Sequence, residues 1–161
     1  MRSILFATLL FTGTMASAAE PKEPEPPSAE LLLSSSTSGI AAASWINGYT
    51  TESCEEKEGE GRLATFNVLT KNKKAVRIGV GVRYYVVAAA AVEPPVGGET
   101  VGKTSCRSMI SFVPEDGHSY EVIHDLPTRN CPIILKDSAT GADVPTAQKH
   151  KPKGLCKEKK P

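Results

Sequence analysis

The sequence predicts an all-β fold, a small antiparallel β-sandwich or barrel held by disulfides. Three observations predict it. Apolar and polar residues alternate with a period of two from Arg62 to Val86, the pattern of strands with one face turned inward. Turn-forming clusters recur at short intervals after Glu93, with no long helical period between them. The chain also carries 4 cysteines, an even number that suits bonded pairs.

The N-terminus sets the compartment. Met1-Arg2 supply a positive start, Ile4 to Phe11 form an apolar run, and Ala16-Ser17-Ala18 has the small-x-small form of a signal-peptidase site. Residues 1–18 read as a secretory signal peptide cleaved after Ala18. The expected location is extracytoplasmic, periplasmic or secreted, where cysteines oxidise in pairs. The apolar run is too short to span a bilayer, and no later stretch approaches the ~20 apolar residues a transmembrane helix needs.

Ala19 to Ser28 reads A-E-P-K-E-P-E-P-P-S, which offers almost nothing to bury. Residues 19–30 are therefore expected to form an extended, self-repelling linker. A β-rich domain follows over 31–148, and a lysine-rich tail over 149–161. Leu31 to Ser38 pairs an apolar triplet with a serine and threonine cluster and fits no single element. Ile40 to Ile46 suits either a short N-terminal helix ending before Asn47-Gly48 or a strand, because a run this short does not decide.

Ala64, Phe66 and Val68 begin the two-residue period. Val76, Ile78, Val80, Val82, Tyr84 and Val86 continue it on the even positions, with Gly79 and Gly81 marking a bend, a bulge or a break into two strands. Tyr85 to Val92 turns continuously apolar, as a strand buried on both faces does. Glu93 to Gly98 is a loop. Thr104 to Val113 and Tyr120 to His124 are expected to pair as a hairpin around Pro114 and Gly117. Cys131 to Lys136 is a further strand, Asp137 to Gly141 a turn, and Ala142 to Val144 a short apolar remnant.

Thr104 to Pro145 carries an F-x-P-x-x-G-x-x-Y-E-V stretch, a cysteine strand and a D-x-x-T-G turn. This stretch resembles the C-terminal part of small bacterial exported β-sandwich proteins. The resemblance implies a non-enzymatic extracytoplasmic domain and brings no catalytic residues with it.

Gly97 to Thr104, G-G-E-T-V-G-K-T, matches the phosphate-loop pattern literally. That chemistry needs a strand before the loop and a helix after it. Pro94-Pro95 precede this segment, and S-C-R-S-M-I-S-F-V-P follows it. Lys103 is therefore expected in a glycine-rich hairpin loop, with no ATP bound. His118 and His124 lie near Glu115, Asp116 and Asp125, but at opposite ends of one strand, too far apart to share a metal ion. His124 reads as a polar strand end. No catalytic, cofactor-binding or metal-binding set emerges.

Four cysteines allow three pairings; Cys106–Cys131 and Cys54–Cys156 are favoured. The first links neighbouring strands around the expected hairpin, and the second ties the tail to the body. Tyr85 faces outward beside Arg83, a pair that a protein partner can use. Lys149, Lys151, Lys153, Lys157, Lys159 and Lys160 form a basic stretch suited to an anionic surface. Balanced total charge and the secretory address argue against nucleic acid. The expected function is a non-catalytic binding or structural module of the cell envelope, of which an inhibitor or immunity-type protein is one form. The competing expectation is a small exported hydrolase or metal-dependent enzyme using His118 or His124.

Overall fold

The computed structural model describes residues 25–36, 42–55, 57, 60–67, 73–92, 104–126, 131–151 and 156. The segment read as a signal peptide, the expected linker before Glu25, Lys103 with most of its glycine-rich segment, and Lys153, Lys157, Lys159 and Lys160 lie outside the described residues.

In chain order the described strands are β1 (Ser28–Ser36), β2 (Ala42–Tyr49), β3 (Gly61–Phe66), β4 (Lys74–Gly79), β5 (Tyr84–Val92), β6 (Thr104–Phe112), β7 (Ser119–Asp125), β8 (Ile133–Asp137) and β9 (Gln148–His150). They form a four-stranded sheet, order β4-β1-β7-β8, and a five-stranded sheet, order β3-β2-β5-β6-β9. Every pairing is antiparallel except β1 with β7. The fold is thus all-β, and no described residue is helical. Of Ile40 to Ile46, where helix and strand stood open, the described residues Ala42 to Ile46 lie in strand β2. Leu31 to Ser38, which fitted no single element, supplies most of β1. That strand begins at Ser28, inside the segment read as linker, and already buries Ala29.

The core lies between the sheets. Leu31 and Leu33 of β1, Tyr120 and Val122 of β7, and Ile133 and Leu135 of β8 meet Ile46, Phe66, Tyr84, Val86, Ile110 and Phe112 of the other sheet. The alternation along β1 and β7 is the direct cause, because successive side chains point to opposite faces. Phe112 and Tyr120 make an edge contact with ring centroids 4.9 Å apart.

That contact corrects the expected hairpin. β6 and β7 do not pair with each other; they belong to different sheets. The chain crosses from one layer to the other through Val113 to His118, where Gly117 holds φ at +73°. Alternation specifies which side chains point inward, but not whether successive strands bond edge to edge or stack face to face.

The long alternating run also divides. It breaks after Gly79, turns at Gly81 with φ at +79°, and resumes as β5 in the opposite sheet. Val82, expected inward by parity, is 54% exposed because it sits in this crossover. Further along, β5 is buried on its inner face, and on its outer face fully only at Val87, the alanines beyond being partly exposed. Val86, Ala88 and Ala90 face the interior, while Val87 packs outside against Tyr49, Met109 and Cys156.

Gly48 lies in β2 opposite Gly61 and Val86. A Cβ there would meet the Tyr84 hydroxyl and stand 2.7 Å from Tyr84 Cζ and 2.8 Å from Leu63 Cδ1. Only glycine lets the tyrosine lie across this strand. At the C-terminal end Gln148 to His150 pair with β6, so Lys149 belongs to an edge strand and not to a free tail. A short, lysine-bearing edge discourages pairing with a further chain.

Candidate functional site

One end of the interior is polar, and the strands explain why. Tyr120, Val122 and His124 share the inward face of β7, so the period that buries the first two also buries the histidine. His124 is fully buried. Small residues make room for it. Ser44 of β2 lies beside Ala90 of β5, which lies beside Cys106 of β6, and Ser35 of β1 is the register partner of His124.

Cys131 precedes β8 and is bonded to Cys106, with Cα atoms 6.1 Å apart. This disulfide joins the two sheets; it does not brace a hairpin. Leu126, Ala90 and the two cysteines form a small apolar cluster around it. Ser108 Oγ donates to the Cys131 carbonyl at 2.6 Å. Cys131 itself holds φ at +43°, a left-handed conformation uncommon outside glycine.

The imidazole of His124 adjoins the disulfide. A ring nitrogen and both sulfurs lie within 4.8 Å of one another. Nδ1 is 2.7 Å from Ser44 Oγ. Nε2 is buried without a hydrogen-bond partner among the described residues. Burial pushes the imidazole down to about 4, against the opposing pull of the Cys131 carbonyl and Asp125. The ring is therefore neutral at physiological pH. The sequence reading of His124 as a polar strand end is corrected, and a cysteine–histidine grouping is present that linear spacing concealed. The signal that locates His124 is its parity with Tyr120 and Val122. Nothing in the sequence brings Cys106 and Cys131 to it, since that juxtaposition needs both sheets.

His118 sits at the other end of β7, exposed, 3.6 Å from Glu115 and 3.5 Å from Asp137. The two histidines are not brought together. Asp125 is drawn to β1, where Ser36 Oγ donates to it at 2.8 Å. Asp116 accepts from the Ser28 amide at 2.8 Å and helps to fasten the start of β1.

The second disulfide, Cys54–Cys156, has Cα atoms 4.8 Å apart and lies on the outer face of the five-stranded sheet. It explains the packing around Tyr85, whose ring is 5.8 Å from that of His150. Arg83 donates to Ser111 Oγ at 3.2 Å and to the Thr146 carbonyl at 3.3 Å. Both residues of the expected partner surface are thus partly buried and engaged within the domain. Lys149 and Lys151 are exposed.

A different surface lies further along the same outer face. Trp45, Ala89 and Arg107 stand in register across β2, β5 and β6, with Ala43 and Ala91 beside them. The Arg62 guanidinium lies 5.7 Å from the Trp45 ring centroid and is held by Asn47 at 2.7 Å and Thr65 at 3.3 Å. Sequence reasoning placed Trp45 in a run of undecided structure and missed this grouping.

Thr104, which ends the phosphate-loop match, opens strand β6. The described chain therefore has a strand where the phosphate-binding motif requires a helix. No described helix is long and apolar enough to cross a membrane. The class defined to this point is a disulfide-stapled two-sheet β-sandwich. No family model matches the sequence, and neither a curated protein nor a solved structure matches it.

Proposed function

We propose that this chain is a non-catalytic exported binding or structural module of the cell envelope, with recognition of another protein as its task. The leader-like N-terminus, the resemblance of Thr104 to Pro145 to exported β-sandwich proteins and the two disulfides support the export part of this reading. The observation that carries the binding part is the Trp45 surface. A tryptophan flanked by Arg62 and Arg107 on a floor of alanines combines the residue types that dominate protein–protein hot spots. The Arg62 guanidinium is already held in place, so less side-chain freedom is lost on association. An inhibitor or immunity-type partner protein is one form this module would take. The basic stretch from Lys149 to Lys160 supplies a second, electrostatic contribution toward an anionic surface.

The test is affinity capture of the mature domain from an envelope extract of its own source, at low and high salt. A specific partner should be retained at high salt and lost in a folded Trp45→Ser, Arg62→Ala variant. A partner that survives this variant but is lost when the six lysines become glutamine would move the interface to the basic stretch. Loss of phenotype in a folded His118→Ala variant with the partner still bound would favour the hydrolase reading instead.

A further inference from the structure

We propose that Cys106, Cys131 and His124, once the Cys106–Cys131 bond is reduced, form a three-donor binding site for Cu(I). Among the described residues His124 Nε2 is buried without a hydrogen bond of good geometry, the Cys131 carbonyl acting on the ring only as an opposing pull, and leaving such a group unsatisfied is costly enough that native proteins rarely do so without a reason. The same ring adjoins two soft donors: two sulfurs lie within 4.8 Å of one of its nitrogens and of each other. In the oxidised protein those sulfurs are used in their mutual bond. After reduction they become two soft thiolate donors facing an imidazole.

The hydrogen bond on the far side of the ring suits ligation. Metal-bound histidines fix their tautomer by donating the other ring N–H to a neighbouring acceptor. Ser44 Oγ, 2.7 Å from Nδ1, is placed to be that acceptor, which leaves the lone pair on Nε2. The geometry needs only local movement. A trigonal ion with metal–sulfur bonds of about 2.3 Å holds its two sulfurs about 4 Å apart. Rotation about the side-chain bonds of two cysteines with Cα atoms 6.1 Å apart reaches this separation. Cys106 is partly exposed and provides the route for a reductant and for the ion.

The donor set selects the ion. Thiolates favour Cu(I) and Zn(II) over hard cations. Structural zinc almost always takes four ligands. The described residues offer three here, because the Ser44 hydroxyl is occupied by Nδ1. Cu(I) is satisfied by three. A dithiol reductant supplies two electrons and two protons, becomes a disulfide itself and leaves Cys106 and Cys131 as thiols. Cu(I) then displaces both thiol protons and is held by two thiolates and the neutral imidazole, with no change in its oxidation state.

The experiment uses the full mature chain carrying Cys54→Ser and Cys156→Ser, so that one cysteine pair remains. It is reduced with a phosphine, freed of it under nitrogen, and titrated with Cu(I) against a chromophoric chelator, with Zn(II) titrated in parallel. The expected result is one equivalent of Cu(I), bound more tightly than Zn(II). His124→Gln should weaken Cu(I) binding about tenfold or more, a size typical of losing a metal-site interaction. Oxidised protein and the Cys106→Ser, Cys131→Ser variant should bind none. If His124→Gln fails to fold, X-ray absorption on the copper-loaded protein gives the same answer, with two sulfurs and one imidazole nitrogen expected. Two sulfurs alone, preferential Zn(II) binding, or no binding by the reduced protein would each overturn the assignment.

Discussion

Acid should destabilise the oxidised protein through one buried imidazole. His124 has no exposed surface, and burial lowers its pKa from 6.5 to about 4. In the unfolded chain the ring regains its ordinary value. Between those two values the unfolded state binds more protons than the folded one. Stability is therefore fully present above pH 6.5 and is lost as pH falls through about 4. The displacement, at about 1.4 kcal/mol per pH unit, amounts to about 3 kcal/mol. Most single domains hold only about 5–15 kcal/mol in total, so the loss is large. The carboxylates of Asp137, held down mainly by the Thr140 hydroxyl, and of Asp143, held down by Lys136, lie below 3.8 and contribute only beneath this window. The exposed pairing of His118 with Glu115 and Asp137 is removed with a His118→Gln background. The assay is urea unfolding from pH 7.5 to 4.5 on oxidised protein, with the His124 ring followed by NMR. His124→Gln should flatten the profile. A wild-type unfolding free energy that stays constant across this range, or an NMR midpoint near 6.5, would refute the reasoning.

Three further outcomes are expected. Gly48→Ala should destabilise by about 1–3 kcal/mol in chemical denaturation, because the new methyl collides with the Tyr84 ring and Leu63; a neutral result would show that the ring shifts freely. Replacing Cys54 and Cys156 by alanine should cost more than replacing Cys106 and Cys131. Their sequence separations of 102 and 25 correspond in the chain-entropy model to about 5 and 3.5 kcal/mol. Reversal of that order in thermal unfolding would make contacts around the inter-sheet bond the larger contribution. Intact-mass measurement on the exported protein should find a chain beginning near Ala19; retention of Met1 to Ala18 would sink the signal-peptide reading.

The sequence by itself determined the all-β class and most strands beyond Arg62, and along the clearest run which residues face inward; it left β1 and β2 undecided and did not mark β9. The strands and their facing follow from a period of two that local sterics impose, so Tyr84 and Val86 were readable as core without any partner in view. The sequence also marked an interruption at Gly79 and Gly81, leaving a bend, a bulge or a break open; the fold makes it a break. Only the tertiary structure decided which strands pair. Val113 to His118 joins two layers instead of folding a hairpin, and β1 runs parallel to β7 across some ninety residues of sequence. The same holds for the site. Parity alone places His124 inside, yet Ser44, Cys106 and Cys131 reach it from different strands and both sheets. Trp45 and Arg62 meet only because a bulge in the β2–β3 pairing sets Arg62 opposite Asn47. Side-chain direction is a local property of the chain, whereas proximity between distant strands is fixed by burial and hydrogen bonding summed over the whole fold.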